Sequence, residues 1–515
     1  STLSRDEVVL SEQAAQDRLA ALGYRDPRGA MRHIKALTTG LSRSADIQRH
    51  LMPVLLGWFA RGVDADAGLL GFRIVSESLG STSWYLRMLR DSPAAAERLS
   101  QLLSSSRLMT DLLEDASASI AWLDKVDDLK ALWEEALESE ISSLLARHED
   151  AVEAMRAVRY LRRRETLRTA MGWTLGIVDI EDTCAGLAAI DECTIDAALR
   201  IALRELQSTA EESEAGETAG EQLLTRIAII GMGRLGGAEN GFGSDADVMF
   251  VHEPLEGVDE DAAQEQAARI VNRTLALLKQ PVKPPIRAER PLEVDADLRP
   301  EGKQGAIVRS LDSYRSYYER WAETWEFQAL TRARPIGGDP QLGEAFVELI
   351  DPYRYPATFT PEQVQQIRRM KARVENERMP HGADRTRQLK LGRGGLSDVE
   401  WLVQLLQLRH AHAVPGLRTT STLKALDAAV EAGLVTAEDA EVLSGAWLLA
   451  TKIRGGNVLR GVRQSDTLPS GRADLEAIAR WCGYPAGSAR ALEEDYLRQT
   501  RNARKVYERL FFDEA

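Results

Sequence analysis

GMGRLGGAENGFGSDADVMFV, residues 231 to 251, decides how this chain is read. The run before it, RIAII at 226 to 230, is short and β-branched, as a buried strand is. A turn with four glycines follows, and such a turn can bring backbone N–H groups against phosphate oxygens. Arg234 adds a cation that stays protonated. DVMFV, residues 247 to 251, predicts a second strand. Asp245 and Asp247 flank Ala246, and residues two apart in a strand share one face. Two carboxylates on one face suit a hard divalent cation such as Mg²⁺, which prefers oxygen ligands. A pair of such ions would activate an attacking oxygen and stabilise a leaving one.

Two other readings compete. Gly231, Gly233 and Gly236 match the dinucleotide fingerprint GxGxxG. That fingerprint opens a long helix and has its acidic residue about 20 positions further on. Here only GAENGFGS separates the last of those glycines from Asp245, too short and too rich in Gly for a crossover helix. The plainer alternative is a Gly-rich hairpin with a solvated acidic edge. LEVDADLRP weighs against it, because Asp295 and Asp297 alternate on another strand-like run. A neighbouring strand that sets Asp295 beside the first pair would complete a three-carboxylate site. Asp297 is read as facing water.

Residues 292 to 298 and 306 to 309 look like a hairpin whose turn, RPEGKQG, holds Pro and Gly. A Trp-rich helix is expected from about 312 to 332, with Tyr314, Tyr318, Trp321, Trp325 and Gln328 packing against the sheet. Arg332 and Arg334 at its end would complement the helix dipole or face phosphates. In KLGRGGLSDVEW, residues 390 to 401, Ser397 and Glu400 have capping-box spacing, and Asp398 suits a first helical turn. Lys390, Arg393 and the glycine pair ending at Gly395 put charge and bare N–H groups at that helix start, a natural anion site.

The rest of the chain bounds these readings. Its 515 residues allow two or three domains, and 44% hydrophobic with 28% charged residues is ordinary for a globular protein. A net charge of −14 argues against a broad nucleic-acid footprint. No apolar run approaches the roughly 20 residues that span a bilayer, so no membrane role is expected. The first residues lack a signal-peptide pattern, and the chain begins at Ser1 rather than Met, as a processed or excised segment would. Cys184, Cys193 and Cys482 form no CxxC, and the histidines, His252, His410 and His412 among them, form no metal-spaced cluster. A cytoplasmic setting fits. Residues 1 to about 207 carry apolar spacings of three and four, as helices do. The acidic stretch at 208 to 222 reads as a solvated loop. The expected class is α+β and predominantly helical. An N-terminal helical region (1–194) and a C-terminal helical bundle (352–515) flank a small mixed nucleotidyltransferase sheet (195–345).

The ordered set GMGRLGG, SDAD, EVDADLRP, WEFQALTRAR and KLGRGGLSDVEW, with the later TLP and the closing YERLFF, resembles one family. It is similar to the glutamine-synthetase adenylyltransferases, of the DNA polymerase beta-like nucleotidyltransferase superfamily, from about Ile227 to the C-terminus. That family's enzymes have two related catalytic halves, and one copy of the motifs looks like one half. SDADVMFVHEP is more similar to the C-terminal, adenylylating half. The resemblance implies transfer of AMP from ATP to a tyrosine of glutamine synthetase, with release of pyrophosphate. The alternatives are the adenylyl-removing half, which phosphorolyses AMP-tyrosine to ADP, and a non-enzymatic helical adaptor with a degenerate transferase core. By motif, Asp245, Asp247 and Asp295 would be catalytic and hold Mg²⁺, two ions being expected. Gly233, Arg234, Gly236, Gly237, Ser244, Lys390, Arg393 and Gly394 would contact the nucleotide. Superfamily members often carry Gly-Ser where this chain has Gly233 and Arg234, and family members often carry Arg at the position of Asp297. Implied partners are glutamine synthetase, a nitrogen-signalling regulatory protein and the other catalytic half.

Overall fold

Alternation along two strands builds the centre of the fold. In the computed structural model, β1 (Thr225–Gly231) and β2 (Ala246–Pro254) pair antiparallel, with Ile229 opposite Phe250. Successive side chains point to opposite faces, so each strand feeds two cores. Ile227, Ile229, Val248 and Phe250 lie in one apolar cluster, and Ala228, Ile230, Met249 and Val251 in another. β3 (Val294–Asp295) and β4 (Val308–Ser310) both run parallel to β2, at its start and near its end. β5 (Arg334–Gly338) closes the other side, antiparallel to β1. The expected hairpin of residues 292 to 309 is therefore corrected. Its two arms do not pair with each other; each pairs with β2, which offers more length and a buried partner. The structure describes residues 5–80, 82–132, 134–208, 221–462 and 465–512, with side chains from residue 12 onward. Most of the stretch expected as an acidic loop, 209 to 220, lies outside these residues.

Three helices pack on one face of the sheet or beside it: α1 (Ala151–Thr174), α2 (Ile180–Ser208) and α3 (Glu260–Lys279). Asp259 caps α3 by accepting the N–H of Ala262 at 2.8 Å. Ala263, Ala267, Ile270, Val271, Leu277 and Leu278 then recur at helical spacing and bury one stripe. On the other face lie α4 (Leu311–Arg320), α5 (Thr324–Leu330) and α6 (Pro340–Arg354). The single helix expected over 312 to 332 is thus two helices. Glu323 and Glu326 form a capping box that starts α5 afresh. Tyr314, Tyr318 and Gln328 are buried as expected, but the break turns Trp321 outward, 73% exposed. α2 runs through residues 194 and 195, and α6 through 345 to 352.

C-terminal to the sheet come α7 (Pro361–Arg378), α8 (Leu396–His410), α9 (Ala437–Arg460) and α10 (Ala489–Phe512). Helices from residues 12 to 129 and those from 355 to 511 share one apolar cluster, so the two flanking helical regions meet. Trp173 of α1 stacks on Phe242 and on Trp481, with centroids 5.9 and 6.3 Å away. No helix among the described residues is long and apolar enough to cross a membrane.

Candidate active site

β1 ends at Gly231, and the next N–H, that of Met232, donates to the carbonyl of Asp247 at 2.8 Å. This bond ties the glycine turn to the start of β2. Gly233 follows at φ +52°, a left-handed conformation that favours glycine. It opens a single helical turn, Gly233–Gly236. The N–H groups of a first helical turn have no partner within the helix, so those of Gly233, Arg234 and Leu235 are the ones available for an anion. Gly236 and Gly237 serve differently: their N–H groups donate back to Met232 and Gly233. A Cβ on Gly236 would lie 1.8 Å from the carbonyl oxygen of Arg332, and one on Gly237 3.0 Å from that of Thr420. Both permit close backbone packing. Ser244 closes the following turn, its Oγ accepting the N–H of Gly241 at 3.0 Å.

Arg234 does not extend into open solvent. Its Nε donates to the carbonyl of Glu239 at 2.9 Å, Nη1 lies 3.4 Å from Glu400, and the guanidinium sits 5.4 Å over the Trp447 ring. Its Nη2 is buried without a hydrogen-bond partner. Arg332 and Arg334 likewise hold the framework. Arg332 bonds Thr422 Oγ1 at 2.5 Å and the carbonyl of Thr420, whereas Arg334 donates to the carbonyl of Gly236 at 3.0 Å.

Beside the turn stand the carboxylates. The parallel pairing of β2 and β3 puts Asp247 directly opposite Asp295. Asp245 is exposed just before β2, and the N–H of Ala246 donates to the carbonyl of Glu293 at 2.8 Å, holding the two segments together. Burial, then the charge of Asp295, pushes the Asp247 carboxyl up to about 6; Lys390 and Arg378 act against that shift, while Asp245 adds to it. Asp297 borders the same open depression as Asp245 and Asp295, and its carboxylate lies 3.5 Å from Arg299 and 3.4 Å from Lys303. Among the described residues no three His, Cys, Asp or Glu side chains converge tightly enough to form a ready-made metal cage. Asp295 turns one oxygen to the N–H of Asp297 at 2.7 Å. Next to Asp245 opens a cavity of about 240 Å³, walled by Phe242, Ser244, Arg290, Val458 and Leu459 among others.

The loop before α8 completes the site. Lys390 and Arg393 are exposed, and the charge of Lys390 is felt at Asp247. Gly394 is different. Its N–H is held by Asp398 at 2.7 Å, so it is not free for a nucleotide. The capping-box reading of Ser397 and Glu400 is also corrected. Gly395 is the N-cap, with no side-chain cap, and Ser397 and Asp398 are buried. Asp398 sits in the first turn as expected and accepts the N–H of Gly394 just before it, and it is also paired with Lys371 and Arg504. Sequence reading missed Arg378, Lys371 and Arg504, which lie on helices without local pattern around them; their neighbours come from other helices.

Two family models match the chain. Glutamate-ammonia ligase adenylyltransferase matches residues 96–349, the span that holds the glycine turn and all three carboxylates. GlnD PII-uridylyltransferase matches residues 368–511, the C-terminal helices. Among curated relatives, a bifunctional glutamine synthetase adenylyltransferase/adenylyl-removing enzyme of Leifsonia xyli is 49% identical over 98% of this chain and 48% of its own length. Those of Streptomyces avermitilis and Mycobacterium avium are 48% and 44% identical, over 99% and 98% of this chain and 51% and 50% of theirs. The chain thus spans about half the length of the curated relatives it matches. With the turn, the carboxylates and this likeness along nearly its whole length, the chain belongs to the glutamate-ammonia ligase adenylyltransferase family.

Proposed function

We propose that this chain transfers AMP from ATP to a tyrosine hydroxyl of glutamine synthetase, releasing pyrophosphate. One observation carries the reading: Gly233, Asp247 and Asp295 meet where β1, β2 and β3 come together, so a backbone anion cradle adjoins paired carboxylates. The names of the relatives supply the substrate protein.

Asp245, Asp247 and Asp295 fit a divalent cation. Burial, and after it the charges of Asp295 and Asp245, raise the Asp247 carboxyl above the usual carboxylate range, and a cation would offset both. When bound, Mg²⁺ would supply charge neutralisation at the phosphates and at the attacking oxygen. The chain's own groups do the rest. The N–H groups of Gly233 and Arg234 meet phosphate oxygens at the start of the helical turn. Lys390, on the loop before α8, and Arg378, at the end of α7, act on the carboxylates and bind the negative phosphates between them. Asp295 accepts the proton of the tyrosine hydroxyl, whose free pKa near 10 makes such help necessary at neutral pH. The cavity beside Asp245 offers apolar walls to a base or an aromatic side chain. The likeness of residues 368–511 to a PII-uridylyltransferase supports a PII-type signalling protein as a regulatory partner.

The relatives are named for two opposite activities, and the direction is tested directly. The chain is incubated with labelled ATP, Mg²⁺ and unmodified glutamine synthetase. Label on a synthetase tyrosine is the expected result. No label, together with ADP formed from adenylylated synthetase and phosphate, would assign the removing direction instead. The absence of both products would sink the transfer reading.

A further inference from the structure

The buried charges at the start of α8 take no direct part in the chemistry above. Asp398 is 1% exposed and Lys371 3%, and they lie 2.7 Å apart. The second oxygen of Asp398 accepts from Arg504 at 3.0 Å and from the N–H of Gly394 at 2.7 Å. Glu375 completes the set, paired with Lys371 at 2.5 Å and 3.7 Å from Arg504. Two cations and two anions from α7, α8 and α10 thus meet, and Glu508 also pairs with Arg504 from the solvent side at 2.7 Å. A buried ion pair is weak evidence for stability, because apolar residues of similar volume often do as well.

What sets Asp398 apart is the backbone it holds. Gly394 lies at φ +72° and presses on α10, where a Cβ would come 1.8 Å from the carbonyl oxygen of Thr500. At the other end of the loop, the N–H of Leu389 donates to the carbonyl of Asp466 at 2.8 Å. Gln388 Oε1 takes the N–H groups of Lys390 and Leu391 at 2.8 and 2.6 Å. Ser397 N–H closes on the carbonyl of Lys390 at 2.9 Å. The loop backbone is gripped on all sides, while the Lys390 and Arg393 side chains stay exposed. Two residues along the same helix, Glu400 faces Arg234 of the glycine turn. One turn of α8 therefore meets both cation-bearing segments of the site.

We propose that Asp398 is a positioning residue: its carboxylate, neutralised by Lys371 and Arg504, holds the Gly394 N–H and so fixes the loop that presents Lys390 to the carboxylates. The role given to Lys390 rests on the nucleotidyl-transfer reading; the grip on the loop does not.

The test is a double-mutant cycle on Mg-ATP affinity with Asp398→Asn, Lys390→Ala and the two together, alongside amide hydrogen exchange. Each single change is expected to weaken binding roughly tenfold, the size of one charge-assisted contact. The double variant should bind no more weakly than Lys390→Ala alone, because both changes remove the same contact. Exchange at Gly394, Leu396 and Ser397 should accelerate in Asp398→Asn and not in Lys390→Ala. Multiplying effects on affinity, or unchanged exchange, would overturn the proposal. If Asp398→Asn does not fold, Lys371→Met with Asp398→Leu carries the same comparison. It removes the Lys371–Asp398 pair together and leaves Arg504 with Glu375 and Glu508. Wild-type protein that binds no Mg-ATP would refute the transfer reading, and the exchange comparison would still decide whether Asp398 holds the loop.

Discussion

A Cβ atom placed on Gly233 would lie 2.3 Å from Oδ2 of Asp247 and 3.1 Å from its Cγ. No side chain fits there without displacing the carboxylate. The bare Cα lets the anion-binding turn and the most strongly perturbed aspartate of the cluster occupy adjoining space.

Gly233→Ala is therefore expected to disable transfer while leaving both cores intact. The added methyl displaces Asp247, and its strain at φ +52° adds to the effect. A displacement of about 1 Å at a reacting centre costs on the order of 10²-fold in rate. The synthetase-labelling assay measures it, with circular dichroism to verify the fold. Activity near the wild-type level would refute the close coupling of turn and carboxylate.

Asp247 should make the metal-free protein less stable as pH rises. Its carboxyl is raised from 3.8 to about 6, so the folded state binds the proton more tightly than the unfolded chain. That contribution is fully present below the unfolded value and is lost as pH rises through the folded one. A shift of roughly two units corresponds to about 3 kcal/mol. Asp247→Asn, in EDTA, should then melt higher than wild type at pH 7.5, with the gap narrowing toward pH 5. Mg²⁺ should raise the wild-type melting temperature above pH 6 and leave the variant's unchanged. Thermal scans across pH settle this; a variant that melts below wild type at pH 7.5 would contradict it.

Lys390→Ala and Arg378→Ala should each raise the KM for ATP about tenfold, since each removes one charged contact to phosphate. Both side chains are exposed, so stability should move by less than about 0.5 kcal/mol. Steady-state kinetics and urea unfolding separate the two effects. A changed kcat with constant KM would place these cations outside nucleotide binding.

Glu289→Gln should destabilise the protein by about 3 to 5 kcal/mol, because it strands a buried cation. Arg159 is paired with Glu289 at 2.6 and 2.9 Å and also donates to the carbonyl of Gln280 at 2.6 Å. These bonds pin the segment that leads from α3 to β3, and hence to Asp295. Denaturant unfolding gives the energy. A loss under 1 kcal/mol would show that the pair is dispensable.

The two central strands could be read from local pattern, because a β-branched run is a property of neighbouring residues. Legibility failed wherever a distant partner intervened. The arms at 292 to 309 look like a hairpin, yet both are drawn to β2. Trp321 has core spacing, but its helix stops at Arg320, a new one starts at the Glu323 capping box, and Trp321 is left in solvent between them. Asp398 is the helix-start acid its position suggests, but the two cations that α7 and α10 bring to it could not be read locally.

The glycine turn, the start of a strand at the Asp245–Asp247 pair and the mixed helical class were thus determined by the sequence itself. Each depends on conformational limits and side-chain periods that act over a few residues. Tertiary structure alone decided that Asp295 stands in register with Asp247, that Gly236 and Gly237 serve packing, and that Arg234 is drawn to Glu400. Those relations depend on which strand edge was free, how closely two backbones could approach, and which buried charge needed a partner. No single stretch of the chain contains both sides of any of them.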